Sequence, residues 1–291
     1  MKAMRGAKTM AERATARRIV VLLDASRTSL AALEAAIERA ASERCELHAL
    51  FVEEDSLLRS AGFSFAREVG AISGSSRPVD PAAMEARLRQ RAESIQRALE
   101  QALDGRRVSY FLNVRRGNVL REALSLAGAD DLLILGKVGW SAGPGRSLGS
   151  TARALARRAP GPVLLWSTMA PGGCEGAVMV LLDDFEKGRG ALSAALDRAR
   201  RQNRDLSILL VRTDNSNAAG ARERAVAKWL ADSGIQARLR RIDSQEPRAI
   251  ARAVRQERGC ELVFSRGSRL MQGAEADVLL ELLPVPLTIS A

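Results

Sequence analysis

The chain has 291 residues, of which 46% are apolar. That is room for about two domains of roughly 100–200 residues, and it excludes a disordered or fibrous protein. Forty-five Lys and Arg against 34 Asp and Glu give a net charge of +11, and with only 3% aromatic residues the cores must be aliphatic. Three scattered cysteines (Cys45, Cys174, Cys260) and a single histidine, His48, are too few for a zinc site or a Cys/His nucleophile.

Residues 1–17 read as a basic tail, since the first 18 positions hold six basic residues and one acidic. No aromatic residue is interleaved there to stack on bases, so a solubilising tail is expected rather than a nucleic-acid arm. No apolar block follows it, as a signal peptide would need, and no stretch reaches the roughly 18 uncharged apolar residues of a membrane span. Unpaired cysteines agree with a cytoplasmic protein.

Residues 18–24 (RIVVLLD) form a short aliphatic run ending in Asp, followed by the turn Ala25-Ser26-Arg27 and a segment with Leu30, Leu33, Ile37 and Ala40 at helical spacing. Residues 46–52 (ELHALFV) supply a second buried strand, so the unit is βαβ and its strands are parallel. Residues 56–82, mixing Phe, Gly, Ser and Pro, read either as a lid or as a surface loop with a short helix. Glu53, Glu54 and Asp55 at its start are either a Mg2+ candidate or an ordinary acidic loop start, the commoner case. Further strands are expected at 107–114, 131–136 and 163–166, with helices over 83–104, 117–128 and 149–159.

Shifted by 159 positions without a gap, 18–55 falls in register on 177–214, with VLLD (21–24) on VLLD (180–183). A second constant offset of 124 lays 149–167 on 273–290 and brings Pro160 and Pro162 onto Pro284 and Pro286. Each Pro-x-Pro introduces a short strand that suits the edge or end of a sheet, because proline cannot donate to a ladder. The chain is therefore expected to be a tandem duplication: a tail 1–17, domains 18–169 and 177–291, and a turn-rich linker 170–176. Strands of the second half are expected near 235–242, 260–265 and 286–290. Alternating β and α predicts open parallel sheets with helices on both faces, and ligands at the carboxyl ends of the strands.

One loop carries the chemistry. The strand 131–135 runs into Gly136-Lys137-Val138-Gly139, nine further residues, then Gly149-Ser150-Thr151 and a helix. Glycines let the backbone approach an anion, and a helix beginning at Ser150 aims its N–H groups and positive dipole end at the same place. Phosphate is the natural guest, with Lys137 and Arg146 adding charge and the Ser150 and Thr151 hydroxyls bonding oxygens. The plain alternative is a loop whose Ser150 simply caps its helix.

The spacing G136-x2-G139-x9-G149-S150, the run RIVVLLDAS and the segment APGPVLLW resemble the universal stress protein family, in its ATP-binding branch and in two copies, over about residues 18–167 and 177–290. The resemblance implies tandem Rossmann-like α/β domains, each an open five-stranded parallel sheet of order 3-2-1-4-5 flanked by helices and paired through their last strands. It also implies that Asp24 contacts the nucleoside, the main chain of Val52 the adenine, and Gly136, Gly139, Gly149 and Ser150 the ribose and phosphates of ATP, ADP or AMP, with Mg2+ as a companion ion. Ala25 stands where the family commonly has Gly.

The second half keeps Asp183 and Val211 but is six residues shorter between Phe264 and Gly273, so that Gly136, Gly139 and Ser150 fall on Arg266, Arg269 and Ala274. It reads as a degenerate copy and pseudo-dimer partner, with Arg266 and Arg269 as solvated surface arginines or a site for another anion. The functional expectation is an adenine-nucleotide-binding regulatory or stress-response protein with one nucleotide in the first domain, at most a slow ATPase, and an unknown protein partner. Two alternatives stand beside it. One is a nucleotide-free module that uses its basic surface to bind a protein, membrane or nucleic acid. The other is an ATP pyrophosphatase-like enzyme, disfavoured because Ala25-Ser26-Arg27 replaces the Ser-Gly-Gly loop such enzymes carry.

Overall fold

The computed structural model describes residues 17–56, 59, 63, 65–69, 74–139, 148–167, 176–212 and 216–290. Arg146, Trp140, Cys174, nearly all of the basic tail and most of the 170–176 linker lie outside them. In the first half the main strands are β1 (Ile19–Leu23), β2 (Leu47–Glu54), β5 (Tyr110–Gly117), β6 (Leu132–Gly136) and β7 (Val163–Trp166). The helices there are α1 (Arg27–Glu43), α2 (Pro81–Leu103), α3 (Val119–Leu126) and α4 (Ser150–Arg158). The second half has β8 (Val178–Leu182), β9 (Leu206–Val211), β10 (Ala237–Ile242), β11 (Glu261–Ser265) and β12 (Leu287–Ser290). Its helices are α5 (Phe185–Gln202), α6 (Ser216–Ser233), α7 (Pro247–Glu257) and α8 (Glu275–Leu282), with a 3-10 turn at Arg269–Met271.

All ten main strands form one sheet in the order β10-β9-β8-β11-β12-β7-β6-β1-β2-β5. Numbered along the chain within its half, each set of five reads 3-2-1-4-5. The strands are parallel except at the seam, where β7 and β12 pair antiparallel through Leu165–Leu287, Leu164–Thr288 and Val163–Ile289. The terminal strand of each half is thus central in the whole sheet. The prolines do not interrupt it, because they enter as acceptors: Leu133 N donates to Pro162 O at 3.0 Å and Leu262 N to Pro286 O at 2.9 Å.

Strands covered on both faces must be apolar along their whole length, which explains the unbroken runs IVVLL in β1 and VMVLL in β8, all ten residues buried. On one face a single core runs through both halves, from Val20 and Leu135 to Phe264 and Leu279. On the other face the core is split in two. Ile19, Val21 and Leu23 pack under α1 and α2, and Val178, Val180 and Leu182 under α5 and α6.

The third strand begins at Tyr110 rather than at 107 and runs on to Gly117. It is an edge strand in which half of the eight residues are exposed and only Gly117 is buried, so no buried alternation marks its ends in the sequence. Inside the 56–82 segment, β3 (Arg67–Val69) and β4 (Ser76–Pro78) make an antiparallel ribbon. Glu68 pairs with Arg77 and, at 2.9 Å, with Arg87 of α2.

Candidate functional site

A cleft opens at the carboxyl ends of β1, β2 and β6, walled by α1, α2 and the start of α4. Asp24 follows β1, and the chain then turns through Ala25 in the left-handed region, at φ 63°. Asp24 Oδ1 accepts from Ser26 N at 2.9 Å, and Ser26 Oγ caps α1 by accepting from Ser29 N at 3.1 Å. The Thr28 hydroxyl donates to Val138 O, tying the first turn of α1 to the glycine loop.

The glycines serve different ends. A Cβ at Gly136 would stand 3.0 Å from Thr28 Cβ and 3.1 Å from Ser29 N, so its bareness lets the loop cross α1. A Cβ at Gly139 would lie 2.8 Å from Asp24 Oδ2, so there glycine keeps room beside the carboxylate. Gly149 meets only ordinary contacts, 3.6 Å to Gly139 N, and its own N–H donates to Lys137 O at 2.8 Å.

Gly149, not Ser150, is the N-cap of α4, and as a glycine it has no side chain with which to cap that helix. Ser150 occupies the first helical position and is exposed. The reading of Ser150 as a simple cap therefore fails, and the helix presents uncapped N–H groups and a positive dipole end to the cleft.

Asp24, Val52, Gly136, Gly139, Gly149, Ser150 and Thr151 all line this cleft. Lys137 does not. Its ammonium, 6% exposed, crosses the seam and donates to Glu281 O at 3.0 Å and Leu283 O at 2.7 Å, at the end of α8. The expected phosphate-binding role of its side chain is thus corrected: the carbonyls that end α8 hold it. Burial lowers its pKa to about 8, with Glu281 opposing. Glu54 also lines the cleft, whereas Glu53 pairs with Arg116 at 3.3 Å. Among the described residues no group of three His, Cys, Asp or Glu is placed to hold a metal ion, and none of the described residues of 56–82 lines the cleft.

Among the lining residues that the sequence reading did not single out are Leu88 and Arg91 of α2. Their signal is the spacing Leu88-x2-Arg91-x3-Ile95-x3-Leu99, which sets an arginine on the buried stripe of a helix. Burial lowers the Arg91 pKa, while the nearby Asp24 raises it and Arg87 lowers it.

The corresponding region of the second half is filled by its own chain. Arg222 of α6, 6% exposed, donates to Asp183 O at 2.9 Å and Val211 O at 2.6 Å. Arg269 N donates to Asp183 Oδ2 at 2.7 Å. Arg266 is not a solvated surface arginine either: its guanidinium donates to Ala156 O, Ala159 O and Gly161 O at 2.9, 2.7 and 2.8 Å, closing the end of α4. Lys137 and Arg266 therefore cross the seam in opposite directions, each capping the last helix of the other half.

The sequence model of the universal stress protein family matches residues 15–166, more than half of the chain. The chain belongs to that family. No curated protein matches it. Solved universal stress proteins do. One from Archaeoglobus fulgidus is 16% identical, with a TM-score of 0.71 over 95% of this chain and 98% of that one. A putative one from Pseudomonas aeruginosa UCBPP-PA14 is 18% identical, with a TM-score of 0.63 over 95% and 93% of the two chains. A universal stress protein in complex with cAMP is 23% identical over 53% of this chain and 98% of that one, at a TM-score of 0.34. At these identities the first two likenesses concern the fold. No helix among the described residues of this universal stress protein is long and apolar enough to cross a membrane.

Proposed function

We propose that this universal stress protein binds one adenine nucleotide, ATP, ADP or AMP, in the cleft of its first half, and that the second half is a degenerate tandem domain serving as a built-in pairing partner. The observation that carries the reading is the start of α4: a glycine N-cap, which has no side chain of its own to cap the helix, opening on the cleft beside Gly139 and Asp24 among the described residues. Uncapped helix N–H groups in a cleft are a ready site for phosphate. Asp24 and the Val52 main chain would take the nucleoside, and Gly136, Gly139, Gly149, Ser150 and Thr151 the ribose and phosphates. Mg2+ would enter with the nucleotide rather than on a carboxylate cluster of the protein.

The stoichiometry of one follows from the second half, where Arg222 and the Arg269 N–H already occupy Val211 O and Asp183. A regulatory or stress-response role in the cytoplasm, exercised through binding rather than turnover, is the function we infer.

Saturating Mg-ATP should raise the melting temperature of the wild-type chain by several degrees, since about 2.7 kcal/mol of stabilisation is expected at a hundredfold excess over Kd. Gly149→Asp puts a carboxylate on the N–H groups meant for phosphate and should abolish the shift. An equal shift in that variant would overturn the assignment.

A further inference from the structure

Four exposed arginines, Arg248, Arg252, Arg255 and Arg258, stand along one side of α7, the last of them at its C-cap. Their spacing sets them opposite Ile250, Ala251, Ala253 and Val254, the residues that α7 buries. At about 1.5 Å per residue the row is about 15 Å long. Many arginines of this chain are held by carboxylates or carbonyls, as at Asp277, Glu261 and Ala159 O. Within the row, the side chains of Arg248, Arg252 and Arg258 make no ion pair or hydrogen bond among the described residues, and Arg255 reaches Leu282 O at 3.4 Å. Glu257, the one carboxylate of the helix itself, is turned to the sheet edge, where Arg240 and Ser207 hold it at 2.7 and 3.1 Å. Glu246, at the N-cap, is the acidic residue next to the row.

The row belongs to the second half alone. In the frame that lays Glu261 on Asp131, Arg252, Arg255 and Arg258 fall on Glu122, Ser125 and Gly128 of the first half. There Glu122 pairs with Arg115 at 3.2 Å. Seating a helix at this place therefore does not require the arginines, since α3 is seated without them.

We propose that this face of α7 is a docking surface for the phosphate backbone of duplex nucleic acid, contacted without regard to sequence. A planar guanidinium binds phosphate through two parallel N–H donors, and a row about 15 Å long matches about four phosphates of one strand at roughly 3.4 Å of rise each. The face carries no aromatic side chain on which an unpaired base could stack, which favours a duplex over a single strand. It carries no exposed apolar side chain either. A membrane-surface helix buries such residues in the lipid, and a protein interface is anchored by them at its centre. The surface lies in the second half, whereas every residue lining the cleft belongs to the first, so it stands whether or not the cleft holds nucleotide.

The test is fluorescence anisotropy of the full chain with a labelled DNA duplex of about 20 base pairs, of arbitrary sequence, over a range of salt concentrations. Each phosphate contact contributes about 0.9 to the slope of log affinity against log salt. The combined variant Arg248→Gln, Arg252→Gln, Arg258→Gln should therefore lower that slope by about two to three and weaken binding about tenfold or more at low salt. Its melting temperature should equal that of the wild type, because these side chains hold nothing within the chain. A control with the same loss of charge at exposed positions of α2 and α3, Arg89→Gln, Arg97→Gln, Arg121→Gln, should change affinity by at most about twofold. Equal weakening by the two variants would reduce the attraction to net charge and overturn the proposal, as would a wild-type chain that does not bind the duplex at low salt. A slope unchanged in the combined variant but lost on removal of residues 1–17 would assign the contact to the tail instead. Binding to phosphatidylserine vesicles that depends on the row, with none to the duplex, would make the surface a membrane contact and overturn the proposal as well.

Discussion

Arg39 and Arg198, separated by the 159 positions that superimpose the two halves, converge on the two oxygens of one carboxylate, that of Glu261: Arg39 Nη1 lies 3.4 Å from Oε1 and Arg198 Nε 3.0 Å from Oε2. Thr288 adds a hydroxyl donor at 2.5 Å. The cluster sits where the core of that face is divided, so the two halves are joined there by charge rather than by apolar packing. Asp131, at the place of Glu261 in the first half, is taken instead by Arg18.

Glu261→Gln should therefore destabilise the chain by about 3–5 kcal/mol, because Arg198 loses its carboxylate partner and the buried Arg39 is left with Glu43 alone. Burial pulls the Glu261 carboxyl up, but Arg39, Arg198 and Thr288 outweigh it and hold the pKa below its ordinary value. A depressed carboxylate contributes stability that is present above its unfolded pKa and lost as pH falls through the folded one. Denaturant melts below pH 4 should show the wild type losing stability faster than the variant. Parallel losses would count against the cluster.

Lys137 makes a prediction of the same sign in a higher pH window. Its folded pKa of about 8 lies below the ordinary 10.5, so between those values the unfolded chain binds more protons and stability rises with pH. Wild type should gain on Lys137→Met across that window by at most about 3 kcal/mol. A flat difference would place the ammonium in water.

Ala25 holds a left-handed conformation that costs a non-glycine residue about 1–2 kcal/mol. Part of the gain from glycine is returned as unfolded-chain entropy. Ala25→Gly should stabilise by about 0.5–1 kcal/mol in denaturant titrations, with nucleotide affinity unchanged. Destabilisation would mean the turn has another shape.

Gly139 and Gly149 should respond differently. At Gly139→Ala the new methyl falls 2.8 Å from Asp24 Oδ2 and displaces the carboxylate, so both stability and nucleotide affinity should drop. Gly149→Ser supplies the cap that α4 lacks and should raise stability by a few tenths of a kcal/mol, yet weaken ATP because the hydroxyl competes for the same N–H groups. Calorimetry alongside thermal melts separates the two effects.

Much of this was readable from the sequence. The runs IVVLL and VMVLL announce strands buried on both faces, and the glycine spacing marks Gly139, which stands beside Asp24. The rest depends on contacts that no local pattern encodes. Whether Lys137 turns toward the cleft or across the seam is decided by the end of α8, far along the chain. Arg266 looks like a surface residue until the end of α4 is brought against it, and Arg91 is one arginine among several on α2 until the helix is seated over the cleft.

The central claim is one nucleotide per chain, held in the first half. Its most direct test is to purify the protein without added nucleotide, denature it, and quantify released ATP, ADP and AMP by anion-exchange chromatography, before and after incubation with Mg-ATP. The account predicts about one adenine nucleotide per chain, lost in Gly149→Asp and retained in Arg222→Ala. No nucleotide released and none taken up, or two per chain, would contradict it.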